Sequence, residues 1–152
     1  MTVFRFQKGA SNQATDILFA NVENLTVVRP DLAASEAELV IEERVGSGEG
    51  ESFRHTASSV EMMERGPNSP VYLHEDRAHG EEKDFLRLQT GFGKVDVRTE
   101  NIVGFRPAIR YGLGAEIIVR VESEAWKNDQ RYTAEFARPV SRDSGTSVPL
   151  HP

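Results

Sequence analysis

Phe4-Arg5-Phe6-Gln7-Lys8-Gly9, near the start of the chain, is echoed by Leu86-Arg87-Leu88-Gln89-Thr90-Gly91, 82 residues further on. Three more echoes follow in the same order. Glu23-Asn24-Leu25-Thr26-Val27-Val28-Arg29-Pro30 returns as Glu100-Asn101-Ile102-Val103-Gly104-Phe105-Arg106-Pro107. Ala37-Glu38-Leu39-Val40-Ile41 returns as Ala115-Glu116-Ile117-Ile118-Val119, and Arg54-His55-Thr56-Ala57 as Arg131-Tyr132-Thr133-Ala134. In these blocks 12 of 23 positions are identical, and most of the rest exchange one apolar residue for another. Four collinear matches at nearly one offset predict an internal duplication, and a repeat sets the architecture before any single element is assigned.

The blocks read as strands. They alternate, or run apolar over four to six residues, and they close on Gly or Arg-Pro. Glu38 to Val45 leads into the glycine-dense Gly46-Ser47-Gly48-Glu49-Gly50 and returns along Ser52 to Ala57, which predicts a hairpin. Glu116 to Glu122, a turn near Lys127-Asn128-Asp129, and Arg131 to Phe136 predict its counterpart. Residues 31–43 carry enough Leu, Ala and Glu for a helix, but the match of Glu38 to Ile41 with the β-branched Glu116 to Val119 decides for a strand. One short helix is expected at Ser59 to Arg65, with serine at its start and Gly66-Pro67 as its stop.

The predicted fold is all-β. Two tandem β units at an offset of about 77 residues pack as a pseudo-twofold sandwich or barrel pair. The expected organisation is a first repeat over 1–73, a charged linker over 74–83, a second repeat over 84–140 and an extended C-terminal tail over 141–152. At 152 residues the whole chain is long enough to bury roughly 70% of its unfolded surface, and half that length only roughly 60%. The units are therefore expected to pack on each other or on partners.

Composition narrows the function classes. Eighteen basic and 24 acidic side chains give a net charge of −6, which disfavours a nucleic-acid-binding face. No apolar run suits a membrane span, and MTVFRFQKG lacks the pattern of a signal peptide, so the expected location is a virion or the cytoplasm. The absence of cysteine removes disulfides and thiolate chemistry. Residues 1–76 carry 6 basic and 13 acidic groups and residues 77–152 carry 12 and 11, an asymmetry that reads first as acidic surface keeping the protein soluble, with contact between unlike faces of two copies as the alternative.

No catalytic, cofactor-binding or metal-binding residues are predicted. His74-Glu75-Asp76-Arg77-Ala78-His79 resembles a zinc-protease helix, but its histidines are five apart where four are needed to share a helical face. Gly91-Phe92-Gly93 and Gly112-Leu113-Gly114 lack a third glycine and a following helix, so they read as turns. Paired acids such as Glu42-Glu43 diverge along a strand. His55 and Tyr132 fall at one repeat position, a slot for a half-buried ring. Residues shared by the repeats, Arg5/Arg87 among them, read as holders of the fold.

Residues peculiar to one copy are the functional suspects: Trp126, Phe92, Met62, Met63 and Leu150 as interface residues. The expected function is that of a non-enzymatic structural or interaction protein in a large symmetric assembly. A virus or phage accessory that decorates a capsid or associates with a tail is the favoured class. Its partners would be protein, either further copies of itself in a homo-oligomer or a major assembly protein whose lattice it binds. A small-molecule or carbohydrate binding β module is the alternative, with a small enzyme third.

Overall fold

Period-two patterning accounts for the strands. In Thr2–Gln7 the rings of Phe4 and Phe6 face the interior while Arg5 and Gln7 face out. The computed structural model describes residues 2–7, 14–29, 36–45, 52–66, 72–73, 78–109, 114–123, 126–141 and 148–149, with backbone alone at 72–73, 123, 126–130 and 148–149.

The strands are β1 (Thr2–Gln7), β2 (Ala14–Leu18), β3 (Val22–Val28), β4 (Glu38–Arg44), β5 (Ser52–Ala57), β6 (Ser59–Glu64), β7 (Tyr72–Leu73), β8 (Phe85–Thr90), β9 (Gly93–Arg98), β10 (Ile102–Ile109), β11 (Ala115–Ser123), β12 (Trp126–Ala134), β13 (Phe136–Val140) and β14 (Val148–Pro149). Single 3-10 turns at Phe19–Asn21 and Thr99–Asn101 lead into β3 and β10.

The first sheet runs β12-β11-β10-β6-β1-β2-β7 and the second β14-β9-β8-β13-β3-β4-β5. Each is an open ribbon of six antiparallel strands with a two-residue parallel strand at one edge. Adding seven to each strand number below eight, and subtracting seven from the others, turns the first order into the second read backwards. Both sheets thus mix early and late strands. β10, β11 and β12 extend β6-β1-β2, while β3, β4 and β5 extend β13-β8-β9. The chain steps between sheets through single residues, Ser58 between β5 and β6 and Glu135 between β12 and β13.

One apolar cluster joins the sheets. Phe4, Ile17, Phe105, Ile117 and Val119 of the first meet Leu25, Leu39, Ile41, Leu86 and Leu88 of the second, all almost wholly buried. Phe4 stacks at an angle on both Phe19 and Phe105, with ring centroids 5.5 and 5.4 Å apart. The architecture is all-β and sandwich-like. Neither sheet closes on itself, so the expected barrel pair does not form.

Three sequence expectations change. Residues 59–64 are the strand β6, not a helix. Lodged between β1 and β10, β6 buries Val60 and matches six residues of β1, and this ladder outweighs the helix propensity of Met and Glu. Lys127-Asn128-Asp129 lies within β12, and the reversal comes earlier, between Ser123 and Trp126. The second echo is also out of register. Leu25 lies opposite Ala137 as Phe105 lies opposite Val60, which makes Asn21 and Asn101 counterparts, and both ladders shift register just after, past Val22 and Ile102. The first hairpin is β4-β5, as expected.

Of the linker, residues 78–83 are described. The backbone N–H of His79 donates to Asn21 Oδ1 at 2.6 Å, and the Glu82 carboxylate accepts from the Thr2 N–H at 2.9 Å. Residues 74–77, with His74, lie outside the described residues, as does the tail apart from Ser141 and Val148–Pro149.

β10 crosses β6 at Gly104, where a Cβ would stand 2.5 Å from the Val60 carbonyl oxygen. Gly104→Ala is expected to destabilise the protein by about 1–3 kcal/mol in urea unfolding, because backbone on both sides blocks relaxation.

Candidate functional site

The hairpin β8-β9 turns through Gly91 and Phe92 alone, since Thr90 and Gly93 form its last rung. Gly93 has φ +119°, a region that disfavours any side chain. Thr90 Oγ1 donates to the Gly93 carbonyl at 2.8 Å and accepts from the Phe92 N–H at 3.1 Å. The tip is braced, and it holds the Phe92 ring fully in water, 103% exposed. An apolar ring on a rigid tip gains about 1.5–3 kcal/mol when something covers it.

Beside this tip lies a cleft of about 600 Å³. One wall is Thr90, Gly91, Phe92 and Val95 of the second sheet; the other is β12 from Arg131 to Ala134, with Glu116 and the corner residue Glu135. The Glu135 N–H donates to the Gln89 carbonyl at 2.8 Å and ties the corner to β8. Burial pushes the Tyr132 phenol above its usual range. Arg131, Glu116 and Glu135 make no ion pair with one another among the described residues. β12 is the outermost strand of its sheet, so one side of its backbone has no strand partner among the described residues.

Met62 and Met63 are half-buried on the interior strand β6, beside a shallow depression shared with Thr2 and Ile102. They do not join Phe92. Trp126 begins β12 opposite Ser123, and its side chain lies outside the described residues, as does Leu150. No group of three or more metal-ligating side chains occurs among the described residues.

Arg5 grips Asp16 through two hydrogen bonds of 2.8 and 2.9 Å, and Arg87 grips Asp96 through two of 2.8 and 3.1 Å. Both aspartates are buried, and these paired forks hold β1 to β2 and β8 to β9. Sequence reading missed the two acids, though Asp16-Ile17 and Asp96-Val97 stand at counterpart positions and could have revealed them.

A second buried pair belongs to one half alone. Glu43 is fully buried, with Oε1 2.8 Å from His55 Nε2 and Oε2 without a hydrogen-bond partner among the described residues. Phe6 and Phe53 enclose the imidazole at ring distances of 5.2 and 4.8 Å. The counterparts on β11 and β12 are Val121 and Tyr132, so the other half fills the same slot with apolar bulk.

Comparisons with protein-family models, curated proteins and solved structures find no match. Glu43→Val and His55→Tyr are each expected to cost about 3–5 kcal/mol, since each breaks the buried Glu43–His55 contact. The double substitution reproduces the other half's packing and is expected to cost less than either, which a double-mutant cycle in urea measures.

Proposed function

We propose that this chain is a non-enzymatic structural and interaction protein of a large symmetric assembly. The class that fits best is a virus or phage particle, with the chain as a capsid-decorating or tail-associated accessory. The supporting observation is Phe92: an exposed apolar ring on a tip braced by Thr90 and Gly93 has the form of an anchor for a protein surface. A flexible loop would lose part of the gain as ordering entropy, and a braced one loses little.

We also read the chain as a fused duplication with an approximate twofold axis. The seven-strand shift that interconverts the two sheet orders supports this, as do the counterpart pairs Arg5–Asp16 and Arg87–Asp96. A fused pair doubles apparent symmetry, so a trimer would offer six similar faces to a sixfold lattice. Phe92 belongs to one half, so it would single out alternate faces. No helix among the described residues is long and apolar enough to cross a membrane.

The cleft favours a second reading, a small-molecule or carbohydrate binding module. An exposed ring beside Tyr132, Arg131 and two carboxylates offers one apolar face and several polar groups to a sugar.

Light scattering on purified protein is expected to give a mass above the 16.9 kDa of one chain, and Phe92→Ser to weaken association about tenfold or more without lowering the thermal midpoint. A strict monomer that also fails to bind its particle would sink the assembly reading. Saccharide binding abolished by Tyr132→Ala would move the assignment to the second reading.

A further inference from the structure

The neighbouring strands β13, β8 and β9 turn Ala137, Leu88 and Val97 inward, and on the opposite, outer face they carry two rows of directly opposed residues. One row is Phe136, Gln89 and Lys94; the other is Arg138, Arg87 and Asp96. The first sheet has the same block on β6, β1 and β2, with Ser59, Gln7 and Ala14 in one row and Glu61, Arg5 and Asp16 in the other. The glutamine and the arginine–aspartate fork are kept in both. The remaining three places all differ. Glu61 stands where the second block has Arg138, Ala14 where it has Lys94, and Ser59 where it has Phe136.

Two acids and one base in the first block thus become one acid and three bases in the second, and a small hydroxyl becomes a ring. In the first block Glu61 lies opposite Arg5, and opposite charges support the pairing. In the second, Arg87 gives its fork to Asp96. The charges left for a partner are those of Lys94 and Arg138, both exposed and without an ion pair among the described residues. The Phe136 ring beside them is 40% exposed. Arg87, Gln89, Lys94, Phe136 and Arg138 line a hollow of about 210 Å³, with no carboxylate on its walls among the described residues, in a chain of net charge −6. The fold does not require the change, since the first block holds its three strands together without it.

We infer that this patch docks an acidic segment of a partner protein, with carboxylates on Lys94 and Arg138 and an apolar side chain on the Phe136 ring. The two cations set the occupant's charge, and the ring sets its apolar part. The shallowness of the hollow decides for a protein segment over a free small molecule. Pockets that hold small ligands enclose roughly 300–1,000 Å³ and cover most of the ligand. This hollow is smaller and leaves its ring open, so the occupant must gain contact beyond it. Neighbouring strands lie about 4.8 Å apart and alternate residues of a strand about 6.6 Å, which puts the backbones of Lys94 and Arg138 roughly 12 Å apart on a diagonal. Three or four residues of extended chain span that distance. The patch also continues the Phe92 tip, because Gln89 and Lys94 form the rung next to Thr90 and Gly93.

This inference rests on the assembly reading and adds a second contact with its chemistry. The test is fluorescence anisotropy of a labelled peptide, with two glutamates three residues apart and a phenylalanine between them, titrated with the full chain. Arg138→Glu and Phe136→Ser are each expected to weaken binding about tenfold, and Lys94→Ala about fourfold. Each variant installs the residue that the other half carries at that place, and the thermal midpoint of Arg138→Glu and Lys94→Ala should hold. The same peptide with glutamine for both glutamates should bind about tenfold more weakly. Raising salt from about 0.05 M to about 0.5 M should weaken the acidic peptide severalfold.

An acidic peptide that does not bind, that binds equally well with glutamine, or that ignores the three substitutions overturns the inference. Benzoate that binds at this patch as tightly as the peptide also overturns it, because the hollow then serves a free small anion. In each of these cases a mass above one chain that Phe92→Ser lowers leaves the assembly reading standing. A strict monomer that binds no particle, yet binds the peptide through Lys94, Phe136 and Arg138, overturns the assembly reading and supports the acidic-segment site.

Discussion

The interior between the two sheets can be closed only by both halves of the chain together. Phe4 and Ile17 come from the first half, Phe105 and Ile117 from the second, and all four lie in one sheet. They cover Leu25, Leu39 and Ile41 from the first half beside Leu86 and Leu88 from the second. Neither half keeps its own seven strands in one sheet. A segment of about 75 residues that buries only some 60% of its surface is marginal alone, and exchange of three-strand blocks removes the need for it to stand alone. The single-residue corners at Ser58 and Glu135 follow from this, because each chain segment must change sheets as soon as its outer hairpin ends.

Against that shared interior the polar insertions sort into two kinds. Arg5–Asp16 and Arg87–Asp96 occur in both halves, lie at the same point of their ladders, and satisfy their charges through paired hydrogen bonds. Glu43–His55 occurs in one half and leaves an acid oxygen without a partner among the described residues. A buried polar pair of that kind seldom adds stability over apolar packing. The half that lacks it is the half that carries the exposed Phe92 and the cleft. The buried polar pair thus lies on β4 and β5, and the exposed ring on the turn between β8 and β9.

The strands were legible where period-two alternation was strong, as in Glu38 to Val45 and Ala115 to Val121. β6 was not, because Ser59, Met62, Met63 and Gly66-Pro67 carry the local marks of a short helix, and only the neighbours β1 and β10 supply the ladder that overrides them. Glu42 and Glu43 are indistinguishable as letters, yet alternate residues of a strand face opposite ways, and one is 29% exposed while the other is fully buried. Phe92 was visible as a residue peculiar to one copy. Its full exposure was not, since an apolar ring between two glycines is as often tucked in as held out.

The sequence by itself determined the β class, the repeat and the turn chemistry at Gly91 to Gly93, because alternation, self-similarity and glycine placement are local properties of the chain. It did not determine which strands become neighbours. Pairing of β6 with β10 and of β3 with β13 joins residues far apart in sequence, and the energy that selects it is burial of an interior to which both halves contribute. That choice leaves β12 at the edge of its sheet, sets Arg131 opposite Arg120, and opens the cleft beside Phe92. The residues are written in the chain; their meeting on one edge is a consequence of how the halves exchange strands.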